Sequence, residues 1–292
     1  MQESGLDEIV KTKIFPKQAW KVFAIEGFLF SLTLVLGIAT AAKISNILEI
    51  KKTEIPEFSL SQFIIYFLFV SLLIFLFVRF LKFRKQKEVI FKLFYVSTVF
   101  WGGILLLSAW ISDLFSLIIM VILIVWWLKR PSVFVQDVCV ILAIAGAGSV
   151  FGLTFTPEVV IVLLVIFSIY DFIAVYKTKH MVEMARGMIE SRAILGLVIP
   201  PDLSAFKENL GQVKPGGRFM VLGGGDIMFP LLFCSSLVSS GVFNSLIVAL
   251  FSLIGLLADF LFFISQKQKK AIPALPLIAL FSIIGYLITK LL

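Results

Sequence analysis

Residues 157–176 read PEVVIVLLVIFSIYDFIAVY, an apolar run whose only carboxylate beyond the first turn is Asp171. A helix of about 20 residues rises about 30 Å, the thickness of a bilayer's hydrocarbon core, so this stretch predicts a membrane span. Thr156 is placed to cap it, and Pro157 suits a first turn, where its missing N–H costs nothing. An ionisable group inside such a span is expensive and marks a site by default.

The rest of the chain has the same character. Of its 292 residues 60% are hydrophobic and only 15% charged, against about 25% charged in an ordinary soluble domain. That excludes a water-soluble enzyme. About nine spans are expected, near 22–42, 58–78, 89–110, 114–128, 133–153, 158–176, 219–238, 242–264 and 272–290. The fold class is therefore an all-α polytopic membrane protein. It divides into an N-terminal six-helix part (1–176), a cytoplasmic loop (177–218) and a C-terminal three-helix part (219–292). Within the loop, 181–190 continues as helix, and 193–200 is an apolar stretch broken by Pro200 and Pro201. Cys139 and Cys234 lie inside apolar runs and read as core residues.

Lys and Arg are retained on the cytoplasmic side of short loops. Of the 26 basic residues, only Lys43, Lys51, Lys52 and Lys290 fall on the other side of the expected spans. The N-terminus is expected in the cytoplasm and the C-terminus outside, integral to a cell membrane. The same distribution accounts for the net charge of +8 as topology and attraction to anionic lipid, without nucleic acid.

Five acids fall within spans: Glu26, Asp137, Asp171, Asp226 and Asp259. Asp171 precedes Lys177, and Asp226 follows Arg218, by similar distances along helices that run in opposite senses, so the two can meet across a helix interface. Depth alone leaves the other acids open, with Asp259 a rival partner; local sequence separates them. Asp226 follows Gly223, Gly224 and Gly225, a run that exposes backbone for close approach or unwinding. Asp171 follows Tyr170, whose hydroxyl can donate. Asp137 lies beside Gln136 near a helix start, and Glu26 is shallow; both read as satisfied or interfacial acids. Two carboxyls in a dry site cannot comfortably ionise together, which leaves one protonated and one charged. Such a pair can draw a proton from an attacking water while donating one to the amide that breaks. His180 is the only histidine and lies outside the spans, which excludes a zinc or Ser–His protease of the membrane. The Gly146, Gly148 and Gly152 cluster suggests close helix packing.

Tyr170-Asp171, Gly223-Gly224-Gly225-Asp226 and Pro273-Ala274-Leu275 stand in order on the sixth, seventh and ninth spans. This set resembles the presenilin and signal peptide peptidase family of GxGD intramembrane aspartyl proteases, and the short loop resembles a microbial, archaeal homologue. The resemblance implies a presenilin-like fold and an aspartic endopeptidase that cuts within transmembrane helices of membrane proteins or signal-peptide remnants. It implies Asp171 and Asp226 as the catalytic pair, with Tyr170, Gly223, Gly225, Pro273, Ala274 and Leu275 around the substrate. No cofactor or metal is expected. The partners are the lipid bilayer and helical substrates, accessory subunits are not required, and self-association stays open. A prepilin-type GxGD peptidase is the enzymatic alternative, and a proton-coupled transporter or cation pathway the non-enzymatic one. A helical substrate must unwind before hydrolysis, and residues 219–222, or the stretch near 194–199, are expected to offer it a strand edge.

Overall fold

The computed structural model of the chain describes residues 16–52, 61, 62, 65, 69, 84–266 and 271–291. Among these run nine α-helices: α1 (Pro16–Lys51), α2 (Arg84–Ser108), α3 (Asp113–Lys129), α4 (Val133–Thr154), α5 (Pro157–Tyr176), α6 (His180–Glu190), α7 (Gly224–Ser236), α8 (Val242–Ser265) and α9 (Leu275–Thr289). All but α6 match expected spans, and the second expected span, 58–78, lies outside the described residues except at four positions. Membrane crossing by length and apolarity alone is met within 19–51, 88–108, 133–154, 157–176 and 242–265, while 224–240 and 275–289 are shorter apolar helices. The chain is an integral, multi-pass membrane protein.

The centre of the bundle is α4, which buries both flanks. Toward α2 the helices touch backbone to backbone: a β-carbon on Gly102 would lie 2.5 Å from the Ala143 carbonyl, and one on Gly146 would strike the Gly102 carbonyl. Toward α7, a β-carbon on Gly148 would lie 2.6 Å from Leu231 Cδ2, and one on Gly152 2.8 Å from the Leu232 carbonyl. The expected glycine cluster thus packs two neighbours at once, as small residues do where no hydrophobic force separates helix from lipid. Cys139 and Cys234 are buried free thiols of this core. At the periphery α3, only 17 residues long, turns Leu114, Phe115, Ile118, Ile122 and Trp126 outward.

Helix α1 outruns the expected 22–42 at both ends and α2 starts at Arg84 rather than 89, but the two differences that shape the site lie further along the chain. The seventh span does not begin as helix at residue 219. Residues Met220–Gly223 form a strand, β2, and α7 starts at Gly224, because a strand partner is at hand and strand formation follows its neighbours. That partner is β1 (Gly196–Ile199), antiparallel to β2 with Gly196 opposite Gly223 and Ile199 opposite Met220. The ninth helix starts at Leu275 rather than 272, with Pro276 in its first turn, so Pro273 and the capping Ala274, already at helical dihedrals, lead into it.

The 177–218 segment is docked rather than loose. Lys179, at a φ of 55°, turns the chain between α5 and α6. All four β1 residues are buried. Beyond β1, the Leu210 N–H donates to the Pro131 carbonyl at 2.9 Å, and the Val133 N–H to the Glu208 carbonyl at 3.0 Å. These bonds tie the segment to the α3–α4 corner, and Asp202 caps a short 3-10 turn over 203–207 between them.

Candidate active site

The two expected aspartates sit on facing helices. Asp171 is buried on α5, and Asp226 lies in the first turn of α7. The Asp171 charge acts on Asp226, and the Leu275 backbone N–H bears on both carboxyls. The local chain explains that shared donor. Leu275 is the first residue of α9, where N–H groups have no helical acceptor, and Pro276 after it has no N–H at all. The positive end of the α9 dipole therefore meets two acids through one amide.

The α5–α7 spacing is held one turn away, where Phe167 and Phe229 pack with ring centroids 4.4 Å apart. On α7 the Gly223 N–H also turns to the Asp226 carboxyl, and a β-carbon on Gly223 would lie 2.8 Å from Asp226 Oδ2. Gly224 is pinned differently, its N–H donating to the Leu195 carbonyl at 3.0 Å. Gly225 is exposed, and a β-carbon there would meet only the Phe229 ring, at 3.7 Å. Pro230, inside α7, has no N–H to return to the Asp226 carbonyl four residues earlier.

Of the other residues named from sequence, Pro273, Ala274 and Leu275 are buried at the mouth of α9, next to the aspartates. Tyr170 turns outward and is 51% exposed, away from the buried face that carries Asp171. Two acids not assigned to the pair converge on it. Asp259 of α8 is buried and acts on Asp226, while Glu26 of α1, also buried, feels both Asp259 and Asp226. Asp259 was visible from sequence as a rival, whereas Glu26 gave no signal beyond being an acid in a span. Among the described residues no group of three or more His, Cys, Asp or Glu is gathered to hold a metal ion.

The open edge of the sheet can be located from the ladder. Val198 faces Val221 across the sheet, yet the Val198 N–H is turned away to the Asp137 side chain. Antiparallel strands alternate hydrogen-bonded and non-hydrogen-bonded pairs. Val198–Val221 is then the second kind, and the Val221 N–H and C=O point to the outer edge of β2. Val221 is 37% exposed, five residues before Asp226.

Comparison with known proteins places this arrangement. No curated protein matches the chain. Two solved structures, each described as a presenilin family intramembrane aspartate protease, share its fold. One, in space group C222, has a TM-score of 0.59 and 22% identity over 92% of this chain and 97% of its own. The other, in space group P2, has a TM-score of 0.54 and 24% identity over 90% and 96%. Residues 27–292 match the family described as signal-peptide peptidase, presenilin aspartyl protease, and since that match runs from within α1 through α9, the chain belongs to this family and is an intramembrane aspartyl protease.

Proposed function

We propose that Asp171 and Asp226 are the hydrolytic pair and that they cut peptide bonds within transmembrane helices of membrane-protein substrates or signal-peptide remnants. The observation that carries this reading is the Leu275 amide reaching both carboxyls. An amide that bears on both acids marks a common point between them, where a water can stand. The charged member takes a proton from that water as it attacks the amide carbonyl, and the protonated member donates toward the carbonyl oxygen or the leaving nitrogen. The two titrate as a pair, and neither role belongs to a particular residue. Asp171 Oδ2 has no hydrogen-bond partner among the described residues, an acceptor suited to the water.

The substrate adds as a strand to the outer edge of β2, so its unwound backbone bonds to the Val221 N–H and C=O instead of to itself. Gly225 and the Pro273–Leu275 lead-in line its path, and the exposed Tyr170 flanks the approach from the lipid side. With Lys and Arg retained inside, the N-terminus is cytoplasmic and the C-terminus external, and cutting occurs a short way below the inner surface. The chain acts without a cofactor and without accessory subunits.

Purified protein incubated with a transmembrane peptide, with products mapped by mass spectrometry, tests the pair. Asp171→Asn and Asp226→Asn each abolish cutting, and Asp259→Asn keeps most of it. Cutting that survives Asp171→Asn but not Asp259→Asn moves the pair to Asp226 and Asp259 and overturns the reading.

A further inference from the structure

Gln136 and Asp137 lie in the first turns of α4, and the chemistry above uses neither. Both are buried, Asp137 to 2% exposure, and a carboxyl so placed in a membrane helix calls for a physical reason. Their hydrogen bonds supply one. Asp137 Oδ1 accepts from the Val198 N–H at 2.8 Å, and the Gln136 side-chain amide donates to the Ile194 carbonyl. The Gln136 side-chain oxygen accepts from the Trp127 indole N–H at 2.8 Å, which fixes which way that amide points. The two side chains thus grip the chain at two points, Ile194 just before β1 and Val198 within it.

The grip passes to the aspartates through short links. β1 sets the register of β2, with Val198 opposite Val221. The Leu195 carbonyl, between the two gripped residues, accepts from the N–H of Gly224 at 3.0 Å, two residues before Asp226. A strand that slips by one residue exchanges its faces entirely.

We propose that Gln136 and Asp137 are positioning residues that fix the height and register of β1 on α4, and thereby choose which substrate peptide bond is presented to the aspartates. This rests on the reading of Asp171 and Asp226 as the hydrolytic pair and of β2 as the substrate edge. Asp137 serves here only as an acceptor, so an amide in its place keeps the bond to Val198.

The test uses the full chain in vesicles with a synthetic transmembrane peptide and compares wild type with Asp171→Asn, Asp137→Asn, Asp137→Ala and Gln136→Met, reading kcat, KM, thermal unfolding and product masses. Asp137→Ala and Gln136→Met lower kcat about tenfold, the order expected for a displaced reacting group. They leave KM nearly unchanged and spread the cut to neighbouring bonds. Asp137→Asn keeps the wild-type cut. Folded Asp137→Ala that makes wild-type products at the wild-type rate overturns the proposal, as does Asp137→Asn that is as impaired as Asp137→Ala. Where Asp137→Ala fails to accumulate folded, Gln136→Met decides by the same products. Asp171→Asn that cuts as well as wild type removes the hydrolytic pair itself, and the positioning role with it; a dead Asp171→Asn beside unaltered products from Asp137→Ala and Gln136→Met removes the positioning role alone.

Discussion

The Phe167 and Phe229 rings meet with centroids 4.4 Å apart, one helical turn from Asp171 on one side and from Asp226 on the other. This contact sets how far the two acid-bearing helices stand apart. An aromatic pair is worth about 0.5–1.5 kcal/mol beyond the area it buries, and a shift of about 1 Å in reacting groups costs up to about 100-fold in rate. Phe167→Ala is therefore expected to reduce kcat far more than it reduces the melting temperature, while Phe167→Leu retains more of both. Equal kcat in Phe167→Ala and wild type would show that the spacing is set elsewhere.

Gly223 and Gly225 flank the same turn with opposite surroundings. A methyl group on Gly223 collides with the Asp226 carboxyl, while one on Gly225 meets only the edge of a ring. Gly223→Ala is expected to fold and lose at least about tenfold in kcat, the cost of a displaced carboxyl. Gly225→Ala is expected to leave the melting temperature unchanged and to act through KM and substrate preference. Steady-state kinetics on two peptides that differ near the cut separate these outcomes.

The position of Leu275 depends on how α9 lies along α8. A β-carbon on Gly255 would be 2.7 Å from Ile278 Cα, and Ser252 and Ser282 join hydroxyl to hydroxyl at 2.7 Å in the same buried seam. Gly255→Leu overpacks that seam, at a cost of about 1–3 kcal/mol, and moves α9 away from the pair. Activity is expected to fall in proportion to the displacement of the Leu275 amide. Ser282→Ala removes one interhelical bond worth about 0.6 kcal/mol and leaves cutting largely intact. A Gly255→Leu protein with wild-type kcat would separate the α9 lead-in from catalysis.

Asp202 caps the turn over 203–207, accepting from the Ser204 and Ala205 N–H groups at 3.0 and 3.1 Å. The Ser204 hydroxyl, followed by the Ala205 amide, holds its carboxyl below the usual carboxylate range. A value lowered on folding adds stability above the unfolded pKa of about 3.9 and loses it as pH falls through the folded one. The cap is therefore intact from neutral to mildly acid pH. Hydrogen exchange at Ser204 and Ala205 is expected to stay slow between pH 7 and 5, after correction for intrinsic rates, and to quicken in Asp202→Ala. Equal protection in both proteins would assign the turn's order to packing instead.

Much of this site is legible in the chain before folding is considered. Asp171 and Asp226 stand out because membrane helices rarely carry charge, and the apolar stretches at 194–199 and 219–222 are marked by the breakers beside them. The partnership of those stretches with each other is less visible, since strand propensity is set by neighbours and the apolar run alone carries the seventh span back to residue 219. Asp137 is the sharper case. Read locally it is an acid near a helix start, and its meaning lies in the Val198 amide 61 residues away. No spacing rule spans that distance. Glu26 and Asp259 join the same neighbourhood through the packing of α1 and α8, which the sequence orders along the chain but does not place in space.

The outward-facing α3 couples the enzyme to the lipid around it. Its 17 residues amount to about 25 Å of helix, short of the usual hydrocarbon thickness of about 30 Å. The surrounding leaflets must pinch on that flank, at a cost that grows with acyl-chain length. Host membranes of different thickness will thus strain one side of the bundle to different degrees, and a proteoliposome series in chain length offers a control on the protein that no substitution supplies.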